Sequence, residues 1–379
     1  MSVAAGNKNH LIRLIAVVLT GILAGPVRHG FGTNFTRDSA PGFWLQLWAD
    51  RSVRCHFYRA SRSRPGHAAS WAIVAGGAVA GFGWWLLGRY GQRRVSIAAA
   101  VANPCAPMPA GTTTIHALLQ IVTVALGSPL GREVAPREMG ALGAGMVARK
   151  LRLLEDETRT LIACGAGAGL AAVYNVPLAG ALFSLEVMLL SFSWEKTLAA
   201  IMTSAIAAWT ATLGLGDESQ YHFVSSALPH SFLWWAILAG PILGTGAWLF
   251  RKATSAARSR VRSNWQMPVF CLLGFSLLAI LSLYFPELPG NGKGPMQLAL
   301  SDGLPLSMVA VLLVLKMVVI LAVLRGGAEG GLLTQGWRWA DWSACCSARS
   351  GSSASLAVIK AASLWWGRPR FSPPPCRCR

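Results

Sequence analysis

Long apolar runs dominate the pattern of hydrophobic and polar positions, and glycine, proline and short charged loops separate them. A helix needs about 20 apolar residues to cross the hydrocarbon core of a bilayer, and fewer if it is broken or re-entrant. The candidate runs cover residues 11–25, 71–88, 113–127, 137–149, 159–173, 177–192, 196–215, 231–250, 267–285 and 306–324. We therefore expect an all-α integral membrane protein, a polytopic bundle of about ten tilted, partly broken helices.

The basic residues between two of these runs predict the orientation. No acid accompanies the basic residues of this loop, which are Arg251, Lys252, Arg258, Arg260 and Arg262. The positive-inside rule places such a loop in the cytoplasm. The preceding loop, 214–230, has Asp217 and Glu218 but no lysine or arginine, and is expected to face outside. The sequence thus predicts a multi-pass protein of a bacterial-type inner or plasma membrane.

Composition strengthens the membrane assignment. Only 13% of the 379 residues are charged and the mean hydropathy is +0.46, whereas about 25% charge is usual in soluble domains. A disordered chain is excluded and a soluble enzyme is not expected. The eight cysteines are scattered without the spacing of metal ligands, so we expect no metal or cofactor.

Two basic segments differ from the rest of the chain. The net charge is +19, and segments 26–70 and 337–379 are rich in arginine, serine, tryptophan and cysteine without periodicity. Neither forms a basic face with interleaved aromatics, so no nucleic-acid partner is expected. We hypothesise that both are translated out of frame; the alternative is a genuine basic loop and tail. The expected domains are then an N-terminal segment with the first helix (1–25), the atypical segment (26–70), a membrane domain (71–336) and an atypical tail (337–379).

A charged motif lies between two apolar runs. Residues 127–138 read GSPLGREVAPRE, with two acids and two arginines. A charge at mid-membrane costs from ~3 to more than 10 kcal/mol, so these residues favour a functional interpretation. Pro136 suits the first turn of a helix, whose N-terminal N–H groups would favour an anion. The alternative is an Arg–Glu pair that caps a buried helix.

Three motifs together resemble the CLC family of chloride channels and chloride–proton antiporters. They are GREVAPRE, then NVPLAGALFSLE at Asn175–Glu186, and finally AEGGLLTQG at Ala328–Gly336. The resemblance spans about 71–336 and implies two inverted-topology repeats, a homodimer in the lipid bilayer and chloride as substrate. It implies that Glu133 is the gating glutamate. The implied anion-binding residues are Ser96, Gly131, Arg132, Glu133, Val134, Gly331, Leu332 and Leu333.

Departures from the family pattern bear on the mechanism. Proton-coupled members carry an acid immediately after the position of Glu186, where this chain has Val187. Since valine cannot titrate, we expect gated chloride permeation, with proton-coupled antiport as the alternative and Glu186 as a possible substitute acid. We also expect the family's C-terminal helices, with their anion-coordinating tyrosine, to be missing. A non-functional truncated remnant is therefore a further alternative.

Overall fold

The computed structural model describes residues 2–24, 67–215, 231–261, 264–292 and 305–332. Within these ranges it contains no strand and eleven α-helices. In chain order they are α1 Ser2–Ala24, α2 His67–Tyr90, α3 Ile97–Ala102, α4 Ala110–Ala125, α5 Val134–Lys150, α6 Glu155–Tyr174, α7 Pro177–Leu182, α8 Trp194–Leu215, α9 Ser231–Ser259, α10 Gln266–Tyr284 and α11 Leu306–Arg325. A π-helical segment, Phe183–Leu189, continues α7.

Every apolar run predicted from the sequence coincides with a helix. The short helix α3 was not predicted, because six residues give no apolar run. Helix α2 begins at His67, inside the segment predicted to be atypical. The rest of 26–70, all of 337–379 and Leu333 lie outside the described residues.

Three of the described helices are long and apolar enough to cross a membrane. They are Ser70–Tyr90 of α2, Gln266–Tyr284 of α10 and Ser307–Arg325 of α11. Small residues let them approach closely. A Cβ added to Gly77 would lie 2.5 Å from the Phe275 Cβ, and one on Gly274 would lie 3.1 Å from the Ala322 carbonyl oxygen.

These contacts also fix which helix ends share a side of the membrane. Gly81 near the end of α2 packs on Pro268 at the start of α10, so the two helices are antiparallel. Gly326, just after α11, packs on Cys271 of the same helix. The C-terminal ends of α2 and α11 therefore lie beside the basic loop after α9, on the side predicted to be cytoplasmic.

A buried lysine braces the turn at the other end of α10. The Lys316 ammonium on α11 is 7% exposed. It donates to the Leu288 carbonyl and, at 2.5 Å, to the Gly290 carbonyl. The Gly290 N–H in turn donates to the Gly127 carbonyl at 3.1 Å, and Gly127 has φ +97° after the end of α4. This region thus ties the second half of the chain to the loop that leads into α5.

Helices α5 and α6 are in backbone contact. A Cβ on Gly140 would lie 2.2 Å from the Gly165 carbonyl oxygen, and one on Gly169 would lie 2.2 Å from that of Pro136. Nothing larger than glycine fits at either position without moving a backbone. These glycines allow the two helices to pack tightly, and they hold the first turn of α5 inside the protein.

Candidate functional site

Two glycine loops, one from each half of the chain, meet at a single point. The Gly131 N–H donates to the Gly331 carbonyl at 2.8 Å, and the Gly331 N–H donates to the Gly131 carbonyl at 2.9 Å. It is the one isolated antiparallel bridge among the described residues. The sequence had assigned both loops to the anion path on separate motifs, and the structure brings them together.

Glu133 lies directly beside this bridge. It occupies the N-cap position of α5, and its side chain is 0% exposed. A Cβ on Gly331 would lie 2.1 Å from the Glu133 carboxyl carbon, so the carboxyl group rests on the Gly331 backbone. The Tyr174 hydroxyl, at the end of α6, donates to Glu133 Oε2 at 3.3 Å. The carboxyl group is thus enclosed between the two loops.

Positive charge surrounds the start of α5. Arg132 lies over the Tyr174 ring at 5.8 Å, and Arg137, one turn into the helix, lies over the Phe183 ring at 4.5 Å. The helix dipole adds about half a positive charge at this end. Val134, the first residue of α5, is half-buried. The assignment of Arg132 and Val134 to the anion path remains a prediction, which the positive potential here favours.

The bridge changes which backbone groups can serve an anion. The N–H groups of Gly131 and Gly331 are occupied by each other's carbonyl groups. In this conformation neither of these two N–H groups is available to an anion. The second glycine loop is also held by α9, because Arg258 Nη2 donates to the Gly330 carbonyl at 2.9 Å. Its Leu332 is half-buried.

Ser96 is placed as a helix cap. Its hydroxyl accepts the Ala99 N–H at 3.2 Å, its side chain is exposed, and α3 packs on α6 and the π-helical segment. The assignment of Ser96 to the anion path remains a prediction. Glu186 and Val187 are both exposed on the π-helical segment, and their relation to proton coupling likewise remains a prediction.

A polar cluster in the helix bundle was missed by the sequence reasoning. His116 of α4, 1% exposed, contacts Glu138 of α5 at 2.7 Å and Glu329 of the second glycine loop at 3.0 Å. Arg94, after α2, donates from Nη1 to Glu329 Oε2 at 2.7 Å. The available signal was a histidine and Gln120 four residues apart on one apolar helix, a spacing that places both on the same face.

Comparison with known proteins agrees with this architecture. Residues 76–334, 259 of the 379, match the model of the voltage gated chloride channel family. The chain is 29% identical over 231 residues to the voltage-gated ClC-type chloride channel ClcB of Citrobacter koseri, covering 59% of this chain and 54% of ClcB. It is 30% identical over 217 residues to the H(+)/Cl(-) exchange transporter ClcA of Vibrio vulnificus strain YJ016, covering 54% of this chain and 46% of ClcA. The chain thus spans about half the length of these curated relatives.

Solved structures share the fold. A slow cyanobacterial Cl-/H+ antiporter superposes with a TM-score of 0.73 at 20% identity, over 89% of this chain and 79% of the antiporter. A CLC-type fluoride/proton antiporter gives 0.59 at 20% identity, over 93% and 84%. The predicted all-α fold and multi-pass placement in a bacterial-type inner membrane are confirmed. With a family match over more than half of its length, the chain belongs to the voltage gated chloride channel family.

Proposed function

We propose that this protein conducts small anions, chloride first, through a path that the Glu133 carboxylate closes. The single observation that carries the proposal is the position of this carboxyl group. It is fully buried at the N-terminus of α5, on the backbone of the second glycine loop. A carboxylate held there occupies the place that the same positive potential would offer to a permeating anion.

The mechanism is a competition between two anions for one site. While Glu133 carries its charge, the helix N-terminus and the nearby arginines stabilise it in place. Protonation removes that charge, and rotation of the side chain removes the group, so either event leaves the positive potential at the start of α5 to another anion. An entering anion exchanges its hydration shell for backbone N–H donors and this potential. The Tyr174 hydrogen bond stabilises the closed state by about 1 kcal/mol.

Proton-coupled antiport is the second candidate. It is favoured by the exchange transporter among the relatives and by the two antiporters that share the fold. Val187 counts against it, because no titratable group stands at the position where the family resemblance places the coupling acid. We expect transport without enzymatic chemistry, in a lipid bilayer and as a homodimer. The remaining alternative is a remnant without transport activity.

Anion efflux from liposomes, with external pH recorded at the same time, separates these possibilities. Chloride efflux without proton movement supports the channel, coupled proton uptake supports the antiporter, and no efflux from monodisperse protein supports the remnant. Glu133→Gln is expected to raise the efflux and to weaken its pH dependence. Glu195→Gln is the matched control, since that carboxylate is 83% exposed on α8. Unchanged efflux and pH dependence in Glu133→Gln would contradict the gate.

A further inference from the structure

The cluster around His116 joins parts of the chain that are far apart in sequence. Its members are His116 on α4, Glu138 on α5, Arg94 after α2 and Glu329 in the second glycine loop. Trp84 of α2 packs edge-on against the imidazole at 6.1 Å. The proposed gating mechanism uses none of these side chains. Charged groups inside a membrane domain are costly, which favours a functional role for this cluster.

The geometry of the imidazole depends on one proton. Nδ1 lies 2.7 Å from Glu138, while Nε2 lies 3.0 Å from Glu329 and 2.5 Å from Arg94 Nη1. A neutral imidazole that donates from Nδ1 can only accept at Nε2, so it pairs with Arg94. A protonated imidazole donates from both nitrogens and so pairs with Glu329 instead. Gain of a proton therefore transfers His116 from Arg94 to Glu329.

The cluster is accessible from one side only. The Arg94 and Glu329 side chains are 41% and 38% exposed, and they follow the ends of α2 and α11 that lie on the predicted cytoplasmic side. Arg258, in the last turn of α9 on that side, lies near both of them and lowers the net negative charge. Glu133, by contrast, is not exposed at all. A cytoplasmic proton can thus reach the cluster through half-exposed groups.

Glu329 remains a carboxylate when the proton arrives. Partial burial raises its pKa, but the hydrogen bonds and positive charges of Arg94 and of protonated His116 outweigh this effect and hold the pKa at about 2. A histidine imidazole, in contrast, takes up a proton readily when carboxylates face it, as Glu138 and Glu329 do here. The incoming proton is therefore placed on the imidazole and not on the loop carboxylate.

Two covalent connections lead from the cluster to the gate. Glu329 precedes Gly331 by two residues, and Gly331 carries the Glu133 carboxyl group on its backbone. Glu138 lies five residues after Glu133 on the same helix. A protonated His116 donates to both carboxylates, and so ties the second loop to the helix that bears the gate.

We infer that His116, held by Glu138 and Glu329, is a cytoplasmic proton-binding site whose protonation fixes the second glycine loop against Glu133 and lowers anion flux. The inference rests on the proposed anion conduction. Protonation of His116 thus lowers the anion flux, whereas protonation of Glu133 opens the path and raises it. Acidification therefore has two opposite effects, one through each residue, and the two can be separated by substitution.

Anion efflux in the Glu133→Gln background isolates the second effect, because the gate can no longer titrate. Lowering the pH from ~7.5 to ~5.5 is expected to reduce this efflux about fivefold. Adding His116→Gln should abolish that reduction, while Arg93→Gln, the exposed neighbour of Arg94, should retain it. If the reduction persists in the His116→Gln protein, the inference is wrong. If the His116→Gln protein is not monodisperse, Glu329→Gln takes its place with the same expectation.

Nuclear magnetic resonance provides a readout that needs no transport. In protein with ¹⁵N-labelled histidine, the His116 signals are those that disappear in His116→Gln. They should change from one to two protonated nitrogens between about pH 8 and 5. An imidazole that keeps one protonation state throughout overturns the inference, whatever the efflux. No efflux from any variant at any pH, together with a normal titration, would refute the proposed function and leave the proton site standing.

Discussion

Replacing Gly331 with alanine tests the closed gate most directly. The new Cβ would lie 2.1 Å from both the carboxyl carbon and Oε1 of Glu133. Real Cβ contacts are not this short, so one group must move. The glutamate side chain can rotate, whereas the Gly331 backbone is held by two hydrogen bonds to Gly131. Gly331 has no positive φ, so alanine itself is compatible with the backbone. We therefore expect the carboxyl group to leave its place.

The size of the effect follows from the overlap. Forcing extra atoms into a packed site costs about 1–3 kcal/mol, and this cost falls on the closed state alone. A change of 1–3 kcal/mol corresponds to about 5- to 150-fold in an equilibrium. The ratio of open to closed protein should rise by this factor, up to the level at which the gate is always open.

Chloride efflux from liposomes measures the result. The expected Gly331→Ala protein has efflux close to that of Glu133→Ala and a weaker dependence on pH. Gly111→Ala is the matched control, because a Cβ added there meets nothing within 4 Å. If monodisperse Gly331→Ala protein has the efflux and pH dependence of the unmodified chain, then the Glu133 carboxyl group does not close the path from this position.

Three further predictions concern other groups. Tyr174→Phe should raise efflux less than Glu133→Gln, by up to about tenfold, because it removes one hydrogen bond of about 1 kcal/mol from the closed state; the same efflux assay measures it. Lys316→Met should lower stability by about 1–3 kcal/mol, since the carbonyl groups of the buried Leu288 and the partly buried Gly290 lose their donor; thermal unfolding of the purified protein measures it. Glu155→Gln should speed alkylation of Cys105 at pH 7.5, as measured by peptide mass spectrometry. The hydrogen bond from the thiol to Glu155 and the negative charge of this carboxylate raise the pKa of the Cys105 thiol. Their loss should therefore increase the fraction of reactive thiolate at that pH.

Each of these three predictions has a result that would contradict it, and two of them have a control residue in the same chain. Efflux unchanged by Tyr174→Phe would mean that the hydroxyl does not stabilise the closed gate. Lys252→Met, at an exposed position, should leave the unfolding temperature unchanged, and an equal loss in both lysine variants would contradict the bracing role. Cys164 is buried, so its alkylation should be slow in both proteins; an unaltered Cys105 rate would contradict the effect of Glu155.

The sequence was sufficient to predict the long helices but not the contacts between distant segments. The apolar runs predicted these helices because a segment that crosses a bilayer must be both apolar and helical. The motif around Glu133 was also local, with a charged pair and a proline before an apolar run. The bridge between Gly131 and Gly331 is not local, because 200 residues separate the two glycines. The sequence around either glycine does not predict its contact with the other.

Polar side chains show the same limit. The family resemblance assigned Ser96 to the anion path, which remains a prediction, and the structure adds that its hydroxyl caps a six-residue helix. His116 received no role from the sequence, because the sequence does not show which side chains face it. Its partners, Glu138 and Glu329, come from different helices and loops. Only the packed structure shows that both ring nitrogens face carboxylates.

The Gly331 backbone on which Glu133 rests has a consequence for biosynthesis. Position 331 follows position 133 by 198 residues, which a ribosome adds in ~10–40 s at about 5–20 residues per second. Throughout that interval the first half of the membrane domain is present while the covering loop does not yet exist. Before Gly331 is synthesised, Arg132 and Arg137 are the cations nearest to Glu133 in the sequence, and they are added within the same second. The arginines that favour an anion in the finished protein would then stabilise the charge of Glu133 during membrane insertion.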